Sequence, residues 1–229
     1  VTHIFMPNID STTIESLLSV CAAYKEFCFP MIGLHPTSVN KNYKKELDIV
    51  AGQLASSNGY VAIGEIGLDL YWDKTFLREQ LLAFEKQVEW ALEYHLPIVI
   101  HTREAFDYIY KVLQPYKETG LTGIFHSFTG TSEEAAKLLD FPGFMIGING
   151  VVTFKKSQLP EVLKDVPLAR IVLETDSPYL TPVPNRGKRN ESARLKDTLI
   201  KVAEIYRESP EVVAEATSEN ALKVFGMGK

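Results

Sequence analysis

Seven short apolar runs, each followed by a segment with helical spacing, repeat along the chain and fix its class before any single residue is considered. The runs lie at Thr2 to Asn8, Phe27 to His35, Tyr60 to Asp69, Pro97 to Arg103, Thr122 to Phe128, Gly143 to Val151 and Ile171 to Asp176. Between them apolar residues recur at i, i+3, i+4 and i+7, the period of a helix with one buried face. Ile14, Leu17, Leu18 and Cys21 show it, as do Leu47, Val50, Ala51 and Leu54, and Leu77, Leu81, Phe84, Val88 and Leu92. The runs are apolar throughout instead of alternating, as in strands covered on both faces. Strand–helix alternation of this kind predicts βαβ units and a parallel sheet. After Asp176 only helical patterns remain. One carries Leu195, Leu199, Val202 and Tyr206. Another opens at Ser209 with Pro210 in its first position. A last one opens at Ser218 and stops at Gly226.

No Gly/Ser-rich linker divides the chain, so residues 1–229 read as one domain. An open doubly wound sheet and an eight-stranded barrel both fit the alternation. Seven strands in a barrel would leave two edges, which an eighth strand ahead of Val1 would close. The expected fold is α/β, a TIM-type (β/α)8 barrel whose first β/α unit, about 25 residues of a ~250-residue barrel, is absent from the chain. With 45% hydrophobic and 23% charged residues there is ample material for a core, and the net charge of -5 argues against a broad basic face for nucleic acid. Cys21 and Cys28 read as core thiols in a reducing compartment, hence a cytoplasmic protein. No run is long enough to span a bilayer, and the start has no basic region followed by an apolar run. No membrane partner is expected, and a monomer is the default.

The chemistry lies in what ends the runs. Glu65 ends "VAIGE", His101 ends "IVIH", His126 ends "GIFH", and "IVLETD" reaches Asp176; His35 and Asn8 close two others. In a parallel barrel the carboxyl ends of the strands surround one mouth, where active sites of such folds lie. Two carboxylates and two imidazoles there would cage a divalent ion. Each residue has a plainer reading: a histidine as a hydrogen-bonding helper, Asp176 as a cap or turn residue before Pro178. Glu65 is the sharpest case, since a carboxylate between Ile63, Gly64 and Ile66 would be buried and needs a cation. His35 reads as a substrate contact, His95 as a helix-end residue, and His3 as lying on the structural side. The chain has no G-x-S-x-G elbow, P-loop or G-x-G-x-x-G, and Ser127 cannot pair with its neighbour His126, so metal-activated water is left as the nucleophile.

"GLHP" at Gly33 to Pro36, "AIGEIGLD" at Ala62 to Asp69, "IVIHTREA" at Ile98 to Ala105, "FHSFTG" at Phe125 to Gly130 and "VLETDSPYLTPVPNRGKRNE" at Val172 to Glu191 together resemble the TatD family of metal-dependent deoxyribonucleases, amidohydrolase-like barrels. The resemblance covers essentially the whole chain. It implies that Glu65 bridges two divalent ions (Mg²⁺, Mn²⁺ or Zn²⁺), that His101 and His126 ligate one, and that Asp176 ligates the other and orients or deprotonates the attacking water. It further implies that His35 and Arg103 face the scissile phosphate. The family commonly has a His-x-His pair on its first strand; no such pair occurs here, which leaves the second ion's site in question.

The implied reaction is hydrolysis of DNA, as a 3′-5′ exonuclease on single strands or DNA ends. Two ions about 3.5–4 Å apart would serve a phosphodiester. Arg186, Lys188 and Arg189 in the loop after the last strand would hold flanking phosphates. The plain alternative is a solvated loop or an internal Arg189–Glu191 pair. Lys155 and Lys156 are a fainter version of that loop. Tyr71, Trp72 and Phe128 follow strand ends and would stack on unpaired bases or simply pack their loops. A second reading is an amide or ester hydrolase such as an aminoacyl-tRNA deacylase. A third, a non-catalytic binding protein, follows if the first strand is truly absent.

Overall fold

The computed structural model describes residues 1–56 and 58–228. The chain divides into two compact units, Val1–Gly123 and Ile124–Lys229.

The first unit contains β1 (Ile4–Met6), α1 (Ile14–Ala23), β2 (Cys28–Pro30), α2 (Tyr43–Ala55), β3 (Ile63–Asp69), α3 (Leu77–Glu93), β4 (Ile98–Arg103) and α4 (Phe106–Leu113). β1 pairs with β2 and β3 with β4, both in parallel. A parallel bridge joins Ile32 to Ile63. Strands sit where the apolar runs predict them but are shorter. β3 is buried at all seven positions, which explains why its sequence does not alternate. Leu17, Cys21 and Cys28 form a small cluster with Ile4 and Met6, and both thiols are free. Asn8 is fully buried and structural. Its amide donates to Gly33 O at 2.8 Å and its oxygen accepts from Thr13 Oγ1 at 2.7 Å.

The face that α3 buries differs from the one its leucines predict. Gln80, Ala83, Phe84, Gln87, Val88 and Ala91 are buried, whereas Leu82 is exposed and Leu77, Leu81 and Leu92 lie at the margins. The glutamines are tolerated because backbone satisfies them. Gln87 accepts from Leu34 N at 2.7 Å and donates to Leu34 O at 3.3 Å. Gln80 likewise accepts from Asp69 N at 2.9 Å and donates to Asp69 O at 3.1 Å. One helix thus clasps two segments, one next to His35 and one at the end of β3.

The second unit contains β5 (Gly123–Phe125, beginning on the last residue of the first unit), α5 (Ser132–Leu139), β6 (Phe144–Ile148), α6 (Leu159–Val162), β7 (Ile171–Leu173), α7 (Leu195–Tyr206) and α8 (Pro210–Val224). β6 and β7 pair in parallel from Ile146↔Ile171 to Ile148↔Leu173. In the core Phe144 stacks on Phe125 and meets Phe141 edge-on. Arg170 donates to Phe144 O at 2.8 Å and Phe141 O at 2.7 Å, tying the segment between α5 and β6 to the start of β7. Ser209 caps α8 through Val212 N with Pro210 behind it, as predicted. The expected break at Ser218 is not there: α8 runs on to Val224, and Thr217 donates its hydroxyl to Val213 O within the helix. A hydroxyl bonded back along its own helix no longer competes for a cap. Gly226 ends the run with φ 67.

Candidate metal centre

In the first unit, β3 and β4 bring two carboxylates together around one imidazole. Their register pairs Gly67 with His101 and Asp69 with Arg103, after an irregularity between Ile63 and Ile66 that contains Glu65. Glu65 therefore lies inside the strand, not at its end as the run "VAIGE" suggests. Gly67 makes the approach possible, since a Cβ there would collide with the His101 carbonyl oxygen. His101 Nδ1 lies 3.1 Å from Glu65 Oε1, and its Nε2 lies 2.9 Å from Asp69 Oδ2. His35 joins the group: its Nε2 stands 3.7 Å from Glu65 Oε1, and its ring meets that of His101 edge-on at 4.6 Å. Ligand atoms from His35, Glu65 and His101 all lie within 4.8 Å of one another.

Glu65, Asp69 and His35 are buried and His101 is half-buried, and burial sets up a contest over charge. Burial alone would push the His101 imidazole down, but hydrogen bonds to Asp69 and Glu65, and their charges, raise it above its ordinary value. Burial pushes the Asp69 carboxyl up. Its bond with His101, and those from the Tyr71 and Trp72 amides, outweigh this and leave it below the usual carboxylate range. Asp69 is thus committed on both oxygens, with Tyr71 N donating to Oδ1 at 3.0 Å. Glu65 faces the histidines.

The second unit repeats the arrangement. His126, just past β5, has Nδ1 2.6 Å from Glu174 Oε2 and Nε2 3.1 Å from Asp176 Oδ1. Glu174 also accepts from Ser127 N. Glu174 N itself donates to Ile148 O at 3.0 Å, which fixes the residue beside the end of β6. Asp176 sits in left-handed backbone, φ 55, and opens a turn closed by Tyr179 N to Asp176 O at 2.8 Å. The turn reading of Asp and Ser before Pro178 is what the backbone shows, and the side chain still reaches His126. Ser127 Oγ accepts from Asn149 Nδ2 at 2.6 Å.

The donor sets fit divalent cations. Ligands each about 2.0–2.2 Å from a shared ion stand a little over 3 Å apart, the separation of His101 from Glu65 and of His126 from Asp176. In each unit the second ring nitrogen meets another carboxylate, Asp69 or Glu174, the usual outer partner of a metal-ligating histidine. The sequence reading missed these two. Their signal was spacing: Asp69 lies four residues from Glu65, on the same face of β3, and Glu174 lies two residues before Asp176, just past β7.

The structure places the other predicted residues less uniformly. Arg103 is exposed at the end of β4. Arg186 lies over the Phe154 ring at 3.8 Å and donates to Thr181 O at 3.0 Å. Lys188 and Arg189 are exposed. Glu191 pairs with Arg194 at 3.6 Å, the only ion pair it makes among the described residues. Asn190 anchors this loop, donating to Thr175 O and Tyr179 O at 2.7 Å each, beside Asp176. Phe128 is buried, so it offers no ring to a base. His95 caps the end of α3 and His3 stacks on Phe29, both away from these groups.

The family described as TatD related DNase matches residues 1–226. The chain belongs to the TatD family. An uncharacterized metal-dependent hydrolase of Bacillus subtilis (strain 168) is 36% identical over 226 residues, covering 98% of this chain and 88% of that protein. The 3′-5′ ssDNA/RNA exonuclease TatD of Pantoea ananatis is 32% identical over 233 residues, 99% of this chain and 89% of that one. The crystal structure of the TatD homologue YjjV from Escherichia coli K12 matches with a TM-score of 0.92 at 27% identity, covering 99% of this chain and 87% of that one. The chain is thus a TatD-family metal-dependent hydrolase, α/β with parallel strands, in the fold class of the amidohydrolase-like barrels. Among the described residues, no helix is long and apolar enough to cross a membrane.

Proposed function

We propose that this TatD-family chain hydrolyses phosphodiester bonds at the 3′ ends of single-stranded nucleic acid. The observation that carries the reading is the imidazole of His101 held between Glu65 and Asp69, with His35 beside it. Glu65 and His101 in the first unit, and His126 and Asp176 in the second, are the proposed metal-holding groups. When bound, divalent ions supply Lewis acidity and a nucleophilic water at neutral pH.

The remaining roles follow from hydrogen-bond chemistry. His35 Nδ1 accepts from the Thr37 amide at 3.2 Å, so its proton in the neutral ring sits on Nε2. A protonated nitrogen donates and does not ligate. This supports His35 as a donor to a substrate oxygen. Asp69 and Glu174 hold their histidines in one tautomer. Asp176 is the most accessible of the four proposed metal-holding side chains, which supports it as the group that takes a proton from water. Arg103, Lys188 and Arg189 offer charge to phosphates. The relative from Pantoea ananatis, named as an ssDNA/RNA exonuclease, supports nucleic acid as substrate.

The test is release of mononucleotides from a 3′-labelled single-stranded oligonucleotide with Mg²⁺, Mn²⁺ or Zn²⁺. Release is expected, and Glu65→Ala is expected to abolish it together with metal uptake. Absence of release with all three ions, alongside hydrolysis of an aminoacyl ester, would favour the deacylase reading.

A further inference from the structure

Just past β3, two adjacent large aromatics stand in solvent: Trp72 is 72% exposed and Tyr71 49%. They do not pack the loop into the core. They are nevertheless ordered against each other and against a cation. The Tyr71 ring meets Trp72 edge-on, with centroids 4.8 Å apart and planes at 89°. Arg103 lays its guanidinium over Tyr71 at 3.8 Å and reaches within 5.4 Å of the Trp72 ring. The strand register produces this, because Asp69 pairs with Arg103 and Leu70 N donates to Arg103 O at 2.9 Å. Arg103 makes no ion pair among the described residues, so its charge is uncompensated.

We infer that Tyr71, Trp72 and Arg103 form a stacking subsite for an unpaired nucleobase, with the Arg103 guanidinium facing the phosphate attached to it. The inference rests on the nucleic-acid reading above and adds a subsite to it. A cation set against two exposed rings suits a ligand that is flat and carries negative charge beside its plane. A nucleotide has both properties; a neutral sugar or an uncharged peptide lacks the charge. The subsite is also rooted in the candidate metal centre. One Asp69 oxygen holds the Tyr71 amide and the other holds the His101 ring. The carboxylate that orients the proposed ligand therefore also sets where the platform begins.

The experiment uses the whole chain in EDTA, so that nothing is cleaved. It is titrated with a short oligothymidylate and with an abasic strand of equal length and equal phosphate number. Trp90 is buried, so base stacking is expected to quench the emission of Trp72. Quenching by oligothymidylate and not by the abasic strand is the expected result. Trp72→Ala is expected to weaken oligothymidylate binding roughly tenfold or more, and Trp72→Phe to restore most of it. Because Trp72 is exposed, the alanine variant should melt at the wild-type temperature, which separates lost stacking from lost fold. Equal affinity for the two strands, or an alanine variant that binds like wild type, overturns the subsite. The two readings fail separately. Nucleotide release with metal, together with equal binding of both strands, removes only the subsite; base-dependent quenching without any release removes only the hydrolytic reading.

Discussion

His101 and His126 each touch two carboxylates, and the two contacts have different consequences. Glu65 and Asp176 lie on the proposed ion side, whereas Asp69 and Glu174 are tied to backbone amides as well as to the ring. A ligating imidazole needs one nitrogen free of its proton and the other held. Asp69→Asn keeps the shape but removes the charge that fixes the His101 tautomer. Metal affinity is expected to fall about 10–100-fold with the fold intact, read by equilibrium dialysis with Mn²⁺. A variant that binds metal like wild type would leave Asp69 no positioning role. The raised His101 value adds a pH dependence of definite sign. In the metal-free protein the protonated ring stabilises the fold below the unfolded value, and that contribution is lost as pH rises through the folded one. Metal binding runs the other way, since the ion must displace the same proton. Affinity should climb about tenfold per pH unit until His101 has titrated, then level off. A flat profile of dissociation constant against pH across that range would remove His101 as a ligand.

At the scale of elements, α3 does more than cover the strands. Gln87 bonds both Leu34 backbone groups, next to His35. Gln87→Leu fits the buried position by size but strands a donor and an acceptor. The expected cost is about 1–3 kcal/mol, with the thermal midpoint falling roughly 2–4 °C for each kcal/mol. A melt followed by circular dichroism checks it, and an unchanged midpoint would mean the clasp adds nothing. That clasp also shows where the sequence stopped being readable. Strand positions were legible because β6 is apolar at every position and β3 at all but its two acids, a pattern that two-sided burial explains. The helix face was misjudged because hydropathy counts glutamine as surface, and nothing local announces a backbone partner 53 residues away. The Ser218 break failed for a related reason: a cap signal depends on where its hydroxyl goes. For the candidate site, reading where the apolar runs meet a polar residue singled out Glu65, His101, His126 and Asp176, the groups proposed above to hold metal. Asp69 and Glu174 went unnoticed because a carboxylate that serves a histidine looks, in sequence, like any other acid in a strand.

Taken as a whole molecule, the chain carries a net charge of -5 and yet is proposed to hold a polyanion. The two are compatible only if few phosphates are neutralised. The predicted cationic loop contributes less than its composition suggests, because Arg186 is engaged by Phe154 and Thr181. Lys188 and Arg189 make no ion pair among the described residues, and neither does Arg103. Three available cations on a single strand give a slope of log K against log salt of about -2. The measurement is binding of a fluorescent single-stranded oligonucleotide in EDTA over a series of NaCl concentrations. Replacing Lys188 and Arg189 by Gln should bring the slope to about -0.7, since each phosphate contact contributes about that much. Stacking on Trp72 is insensitive to salt and should set the affinity that persists at high NaCl. A wild-type slope of about -5 or steeper would require a broad basic face, which this composition does not supply, and would mean that cations outside these three carry the binding.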